Sequence, residues 1–494
     1  MPDTRIRPSK RWHSPAIALF CASLALPAHS QADALPPLPD FGDVSGNVLS
    51  PAAERRLGQA FMRSLRASEK VMDDPLLDDY INTLGRRITR YTTLGEDGFH
   101  FFFVDDPSIN AFAGPGGYIG IHTGLVTTSE SESELAAVMA HEVAHVTQQH
   151  LARMWQAAND MTVPQAAVLI AAAVLGATVG GDAAIAAAMG GQAAILQHQI
   201  DFTRANEQEA DRVGIDLLGE ASFDTRAMAS FFTRMGRASR DQNIQLPEFL
   251  RTHPVTTNRI AEAMDRASSL PYRQPPDDLR YQLLRERLRV NRMEDPAIAV
   301  TDLERALADG RYRNHDAARY GLALALAANQ RPADGLKVMQ ALLANQPAVL
   351  EYVAATADLA AKTGDHKLAL AILDAGTRHH PHSAPLLLLR GNLLLDLQQA
   401  EQALPVVTRL LEGWPDDPRT HELAARTYGA LQRTVAAHEQ LALAHFLRGN
   451  AQAAVRQIEI ALRVPGVDFF NASRLESRLE QYRAELAVIR DSQY

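Results

Sequence analysis

Three prolines, Pro347, Pro381 and Pro415, stand 34 residues apart in the second half of the chain. Counting back from each finds small residues at matching places: Ala323, Ala357 and Gly391, then Gly335, Ala369 and Ala403. Small residues there let two paired helices approach closely before proline ends each repeat. A further unit fits Ala442, Gly449, Ala454, Ala461 and Pro465, with its last proline one residue early, and residues 278–310 read as a degenerate first pair. Such units bury their apolar faces only on one another, so residues 279–494 are expected to form an all-α solenoid of four or more helix pairs. Its concave face suits peptides or proteins; the alternative is a spacer that completes the surface of the preceding domain.

The first half carries one motif of defined chemistry, His141-Glu142-Val143-Ala144-His145, entered by the apolar run Leu135 to Ala140. At ~3.6 residues per turn His141 and His145 fall ~40° apart, so both imidazoles can meet one metal ion, with Glu142 beside them. Imidazole suits Zn²⁺, and a catalytic zinc takes three protein ligands and keeps one position for water. Glu142 can then take that water's proton, which makes peptide hydrolysis the leading chemistry. Ser131 and Glu134 have capping-box spacing and mark the start of this helix.

A third ligand is needed. His150, nine residues after His141, lies ~180° round a continuous helix and faces away. Glu207, in Glu207-Gln208-Glu209-Ala210-Asp211, is the better candidate, because Glu207 and Asp211 share a helix face. Glu207 would ligate, and Asp211 would accept the other ring N–H of a ligand histidine. Glu209 points away and reads as a solvated charge. The bland alternative is a helix with three ordinary surface acids. His253, in a loop before Pro254, has two candidate roles, a fourth ligand that closes the site or a stabiliser of the oxyanion.

Ser50-Pro51 and Asp74-Pro75 read as N-caps followed by proline at the first helical position, opening helices to about Leu65 and Thr89. Residues 99–104, 109–113 and 118–123 read as a small antiparallel sheet, broken by Asp105-Asp106-Pro107 and Gly114-Pro115-Gly116-Gly117. A free edge there, with Asn110 and Tyr118 as candidate residues, could pair with an extended substrate; alternatively the strands only complete the core.

The chain opens with basic residues from Arg5 to Arg11, an uncharged apolar run from Ala16 to Leu26, and small residues at Ala28, Ser30 and Ala32. That is the pattern of a signal peptide over 1–32, cleaved near 30–32. Cys21 is the only cysteine. The mature chain is then free of disulfides and thiol ligands, which fits a bacterial periplasm and leaves His, Asp and Glu to bind metal. The net charge of -9 argues against a nucleic-acid partner. Residues 161–195, rich in Ala and Gly, read as a close-packed helical pair near the site, with peripheral membrane contact as a further candidate role. Leu270 to Asp278, with three prolines, is the expected linker between a metallopeptidase domain at 33–269 and the repeat domain at 279–494.

His141-Glu-Val-Ala-His145 followed by Glu207-Gln-Glu-Ala-Asp211 resembles the HExxH plus ExxxD pattern of the gluzincin peptidases related to the CAAX-processing membrane protease and the heat-shock protease HtpX. Asn110-Ala-Phe-Ala113, Gly116-Gly117-Tyr118-Ile119, Thr123-Gly124-Leu125 and Thr252-His253-Pro254 extend the resemblance over about residues 50 to 265. It implies one zinc per chain held by His141, His145 and Glu207, with Glu142 as base and Asp211 supporting the site. Unlike the membrane members, this chain shows no obvious set of transmembrane helices. The 34-residue period is that of tetratricopeptide repeats. The order of signal peptide, peptidase and repeats further resembles exported proteases that serve outer-membrane barrel assembly. That implies unfolded outer-membrane proteins and the barrel-assembly machinery as partners.

The expected fold is an α+β gluzincin-like metallopeptidase domain with a small antiparallel sheet, followed by an all-α tetratricopeptide solenoid. The residues by themselves support an exported zinc endopeptidase joined to a protein-binding array. The competing class is a chaperone or binding scaffold with a latent or structural metal site.

Overall fold

The computed structural model describes residues 50–68, 70–150, 193–238 and 247–491. The expected signal peptide, and the stretch 161–195 apart from its last three residues, lie outside the described residues. The first two helices start where proline and an N-cap place them. Ser50 Oγ accepts the Ala53 N–H to open α1 (Pro51–Ala67), and Asp74 Oδ1 accepts those of Leu76 and Leu77 to open α2 (Pro75–Thr89).

Strands β1 (His100–Val104), β2 (Ala111–Ala113) and β3 (Tyr118–His122) form one sheet in the order β1-β3-β2. The sheet is small, as expected, but mixed: β2 and β3 are antiparallel, whereas β1 runs parallel to β3. The cause lies in residues 105–110, which make no hairpin. The Asp106 carbonyl is bound by the Gly124 N–H and the Thr123 hydroxyl, so the chain is carried past the place that β3 then fills. The true hairpin follows at Pro115-Gly116-Gly117, where both glycines take positive φ, 69° and 74°. Tyr118 therefore opens the central strand, paired on both sides, and cannot serve as a substrate edge. The outer side of β2, which Asn110 precedes, carries no strand among the described residues.

After α3 (Thr123–Thr128) comes α4 (Glu132–Thr147), the helix of the HExxH motif. Ser131 Oγ accepts the Glu134 N–H at 3.2 Å, as the capping spacing predicts. Every residue from Glu132 to Ala144 is buried. A helix apolar enough to be covered on all faces becomes the centre of its domain. Here it is wrapped by the sheet, α2, α5 (Ala193–Glu220) and α6 (Ala227–Ala238). Helices α7 (Glu248–Thr252) and α8 (Thr257–Ser268) complete the domain.

Residues 271–278 form no helix or strand. They are nonetheless tied down, because Asp277 Oδ1 accepts the Glu132 N–H at 2.8 Å and so caps α4. Helices α9 (Leu279–Asn291) and α10 (Pro296–Ala308) do not form the expected first pair, because each packs instead on α11 (His315–Ala328). Paired helices follow: α11 with α12 (Pro332–Asn345), α13 (Leu350–Lys362) with α14 (His366–His379), and α15 (Ala384–Asp396) with α16 (Ala400–Gly413). The array closes with α17 (Pro418–Ala430), α18 (Thr434–Leu447), α19 (Ala451–Leu462) and α20 (Phe469–Asp491). The small residues do what their spacing suggests: a Cβ added to Gly335 would lie 2.6 Å from the Ala323 carbonyl oxygen.

The array is not a free tail. It curls back onto α1 and α2, and the acidic start of α2 is held by arginines from several pairs. Asp73 meets Arg448 at 3.0 Å, Asp74 meets Arg287 at 2.6 Å, Asp78 meets Arg419 at 2.8 Å and Asp79 meets Arg280 at 2.8 Å. Arg63 of α1 pairs with Glu485 of α20 at 2.6 Å. Among the described residues no helix is long and apolar enough to cross a membrane.

Candidate metal centre

Helix α4 presents His141 and His145 one turn apart, with their Nε2 atoms 3.1 Å from each other. Helix α5 brings Glu207 against them, its Oε2 3.4 Å from His141 Nε2 and its Oε1 3.4 Å from His145 Nε2. His253, just past α7, places Nδ1 3.4 Å from His141 Nε2 and 3.0 Å from Glu207 Oε1. Around an ion with metal–ligand bonds of about 2.0–2.1 Å, the edges of a tetrahedron measure roughly 3.3–3.4 Å. The ligand atoms of these four residues lie within 4.8 Å of one another, so the cluster has the size and donor set of a tetrahedral cation site. A close approach of backbones makes this possible: a Cβ on Gly214 of α5 would fall 3.1 Å from the His141 nitrogen.

The next layer holds the first in place. His141 Nδ1 lies 2.9 Å from Asp211 Oδ1. Arg259 of α8 donates to both Asp211 oxygens at 2.7 and 2.8 Å and reaches Glu207 Oε2 at 2.9 Å. Arg259 was not legible as a site residue. The signal was there, however, because Arg259 shares the buried stripe of an otherwise polar helix with Ala263 and Ala267.

Burial alone would raise both site carboxyls. The neighbouring cations outweigh it, and Asp211, beside Arg259 and His141, is held below the usual carboxylate range. Glu207 is held well below it by His253, His141 and His145. Burial works against charging His141, but its bonds to Asp211 and Glu207 prevail and push it up to about 10. His145, with burial dominant, is pushed down to about 4.

Glu142 is buried, with Oε1 3.4 Å from His253 Nε2 and no hydrogen-bond partner for that oxygen among the described residues. It faces the cluster at the corner that His253 fills. His150 corrects the sequence reading. Helix α4 ends at Thr147 and Gln149 turns left-handed at φ 54°, so the ring does not face away. Its Nδ1 lies 3.0 Å from His145 Nδ1 and its Nε2 lies 3.2 Å from Glu209 Oε2. Glu209 is accordingly a paired group rather than a merely solvated one. Six candidates therefore converge: His141, Glu142, His145, Glu207, Asp211 and His253. Tyr118 does not join them; its ring lies against His100, at 4.8 Å.

A cation centre of this kind on the central helix, under a small sheet, makes the first domain a metallopeptidase. The model of peptidase family M48 matches residues 75–267, and a tetratricopeptide-repeat model matches residues 360–427. The chain belongs to the β-barrel assembly-enhancing protease family: it is 32% identical over 453 residues to the β-barrel assembly-enhancing protease of Escherichia coli K12, covering 92% of each chain. A putative β-barrel assembly-enhancing protease of Vibrio cholerae is 42% identical over 277 residues, 56% of this chain and 57% of that one. The mitochondrial metalloendopeptidase OMA1 of Bos taurus is 33% identical over 166 residues, 33% of this chain and 31% of that one.

Proposed function

We propose that the chain is an exported, zinc-dependent endopeptidase of the periplasm, acting once residues 1–32 are removed. It cleaves unfolded or misassembled outer-membrane proteins and assists their assembly, with clients and the barrel-assembly machinery docking on the repeat array. The convergence of His141, His145 and Glu207 beside Glu142 carries this reading. Imidazole and carboxylate donors at tetrahedral spacing favour Zn²⁺ over Mg²⁺ or Ca²⁺, which prefer all-oxygen sites. The name carried by the relatives joins a protease to barrel assembly, which supports the client class.

A bound zinc ion would supply Lewis acidity, polarising the scissile carbonyl and acidifying the attacking water. Glu142 takes a proton from that water as its oxygen bonds to the carbonyl carbon, and returns the proton to the amide nitrogen as the C–N bond breaks. Asp211 keeps the His141 proton on Nδ1, leaving Nε2 free toward the cluster, and Arg259 fixes Asp211. The outer edge of β2, entered at Asn110, offers backbone groups to an extended client. His253 stands at the fourth corner, so it serves as a closing ligand that must leave before a substrate can enter.

That same contact favours a second reading, a chaperone or scaffold whose site is latent. The test is cleavage of an unfolded outer-membrane protein by the mature chain, with Glu142→Gln and His253→Ala alongside. Cleavage by the wild type that a chelator stops, and that Glu142→Gln lacks while still binding client, supports the protease. If neither wild type nor His253→Ala cleaves although both bind zinc and client, the scaffold reading replaces it.

A further inference from the structure

The two histidines of α4 are not held alike. His141 sits inside the helix with Nδ1 against Asp211, and its side chain is 1% exposed. His145 stands two residues before the helix stops, with its side chain 14% exposed. A neutral imidazole ligand offers one nitrogen's lone pair and keeps its proton on the other, and that N–H needs an acceptor.

For His145 the acceptor is His150. His145 Nε2 faces the cluster, so the proton is on Nδ1, and His150 Nδ1 at 3.0 Å must accept it. A neutral His150 then carries its own proton on Nε2, which donates to Glu209 Oε2 at 3.2 Å. Each proton position along His145, His150 and Glu209 follows from the one before. The backbone supports this order, because Gln149 takes a left-handed φ of 54°, which a non-glycine residue adopts only at a cost. That turn carries the buried His150 ring back to His145, where a continued helix would have taken it away.

We propose that His150 is a positioning residue for the metal centre, holding His145 as the Nδ1–H tautomer and held in turn by Glu209. This rests on reading the cluster as a metal site. It gives helix α5 three distinct jobs within five residues: Glu207 as ligand, Asp211 behind His141, and Glu209 behind the partner of His145.

The experiment is zinc affinity of the mature chain, read by competition with a chromophoric chelator, for wild type, His150→Ala, His150→Asn and Glu209→Ala. His150→Ala is expected to bind about 10–100-fold more weakly. His150→Asn, whose side-chain carbonyl can accept where Nδ1 did, should recover most of that loss. Unchanged affinity in His150→Ala overturns the proposal, and so does an asparagine variant as weak as alanine, because His150 would then matter only as packing. Should His150→Ala fail to fold, Glu209→Ala decides, since that side chain is 40% exposed and its loss leaves the core intact. A several-fold loss there supports the relay and wild-type affinity overturns it. A wild-type chain that binds no zinc overturns the metal reading itself, an outcome distinct from tight binding by every variant.

Discussion

Arg259 holds both carboxylate oxygens of Asp211, at 2.7 and 2.8 Å, and so fixes from outside the group that faces His141. All three residues are buried. Arg259→Leu would leave Asp211 and Glu207 without their shared cation, and removing one partner of a buried pair costs roughly 3–5 kcal/mol. Urea unfolding of the metal-free protein measures this. A loss below about 1 kcal/mol, as for an exposed pair, would show that the guanidinium contributes nothing there.

Acid should act on the same pair. The Asp211 carboxyl is held below its usual value, so below about pH 4 the unfolded chain binds the proton more readily than the folded one. Its contribution is whole above that pH and is lost as pH falls through the folded-state value. The stability of Asp211→Asn should therefore fall less steeply than that of the wild type between about pH 4.5 and pH 2.5. Parallel slopes would mean that the carboxylate is not the responsible group.

Zinc should stabilise the folded chain by mass action. At free zinc about a thousand-fold above Kd the gain is about 4.1 kcal/mol, visible as a rise in Tm that a chelator reverses. Glu207→Ala removes one of the four converging ligands and should abolish most of that rise. A Tm indifferent to zinc in the wild type, or equally responsive in Glu207→Ala, contradicts the assigned ligand.

In the array, Gly335→Ala opposes two effects. Alanine gains about 1 kcal/mol in helix propensity, but its Cβ would lie 2.6 Å from the Ala323 carbonyl oxygen. Overpacking typically costs about 1–3 kcal/mol, so net destabilisation is expected. A stabilised variant would mean that the α11 and α12 crossing is looser than this distance says.

The clasp on α2 should be salt-sensitive. Replacing Asp73 and Asp79 together by Asn, and sparing Asp74 because it also caps α2 and Asp78 because burial pushes its carboxyl up to about 7, should lower stability by roughly 0.5–2 kcal/mol at low salt. The loss should shrink at about 1 M salt, where charges are screened within about 3 Å. An equal loss at both salt levels would assign the effect to packing.

What could be read from the chain alone depended on distance along it. His141, Glu142 and His145, or Glu207 and Asp211, share a face because helical spacing places them, and the 34-residue period fixes each crossing of paired helices. Arg259 stands 48 residues from Asp211, and nothing local ties the two. The arginines that hold Asp79 and Asp73 lie 201 and 375 residues away. His150 was misplaced because a helical wheel assumes a helix that continues, and this one stops at Thr147. Strand positions near β1, β2 and β3 were legible from apolar runs, but the parallel pairing hangs on how the Asp106 carbonyl is bound.

The clasp changes what kind of object the array is. A free stack of helix pairs behaves as a spring, because each pair touches only its neighbours. Here α9, near one end, and Arg448, near the other, are both tied to α2, a rod of 15 residues. That rod packs on α4, with the Tyr80 hydroxyl donating to Glu132 Oε1 at 2.7 Å. Flexing the spring therefore loads the rod, and the rod bears on the helix that carries His141 and His145.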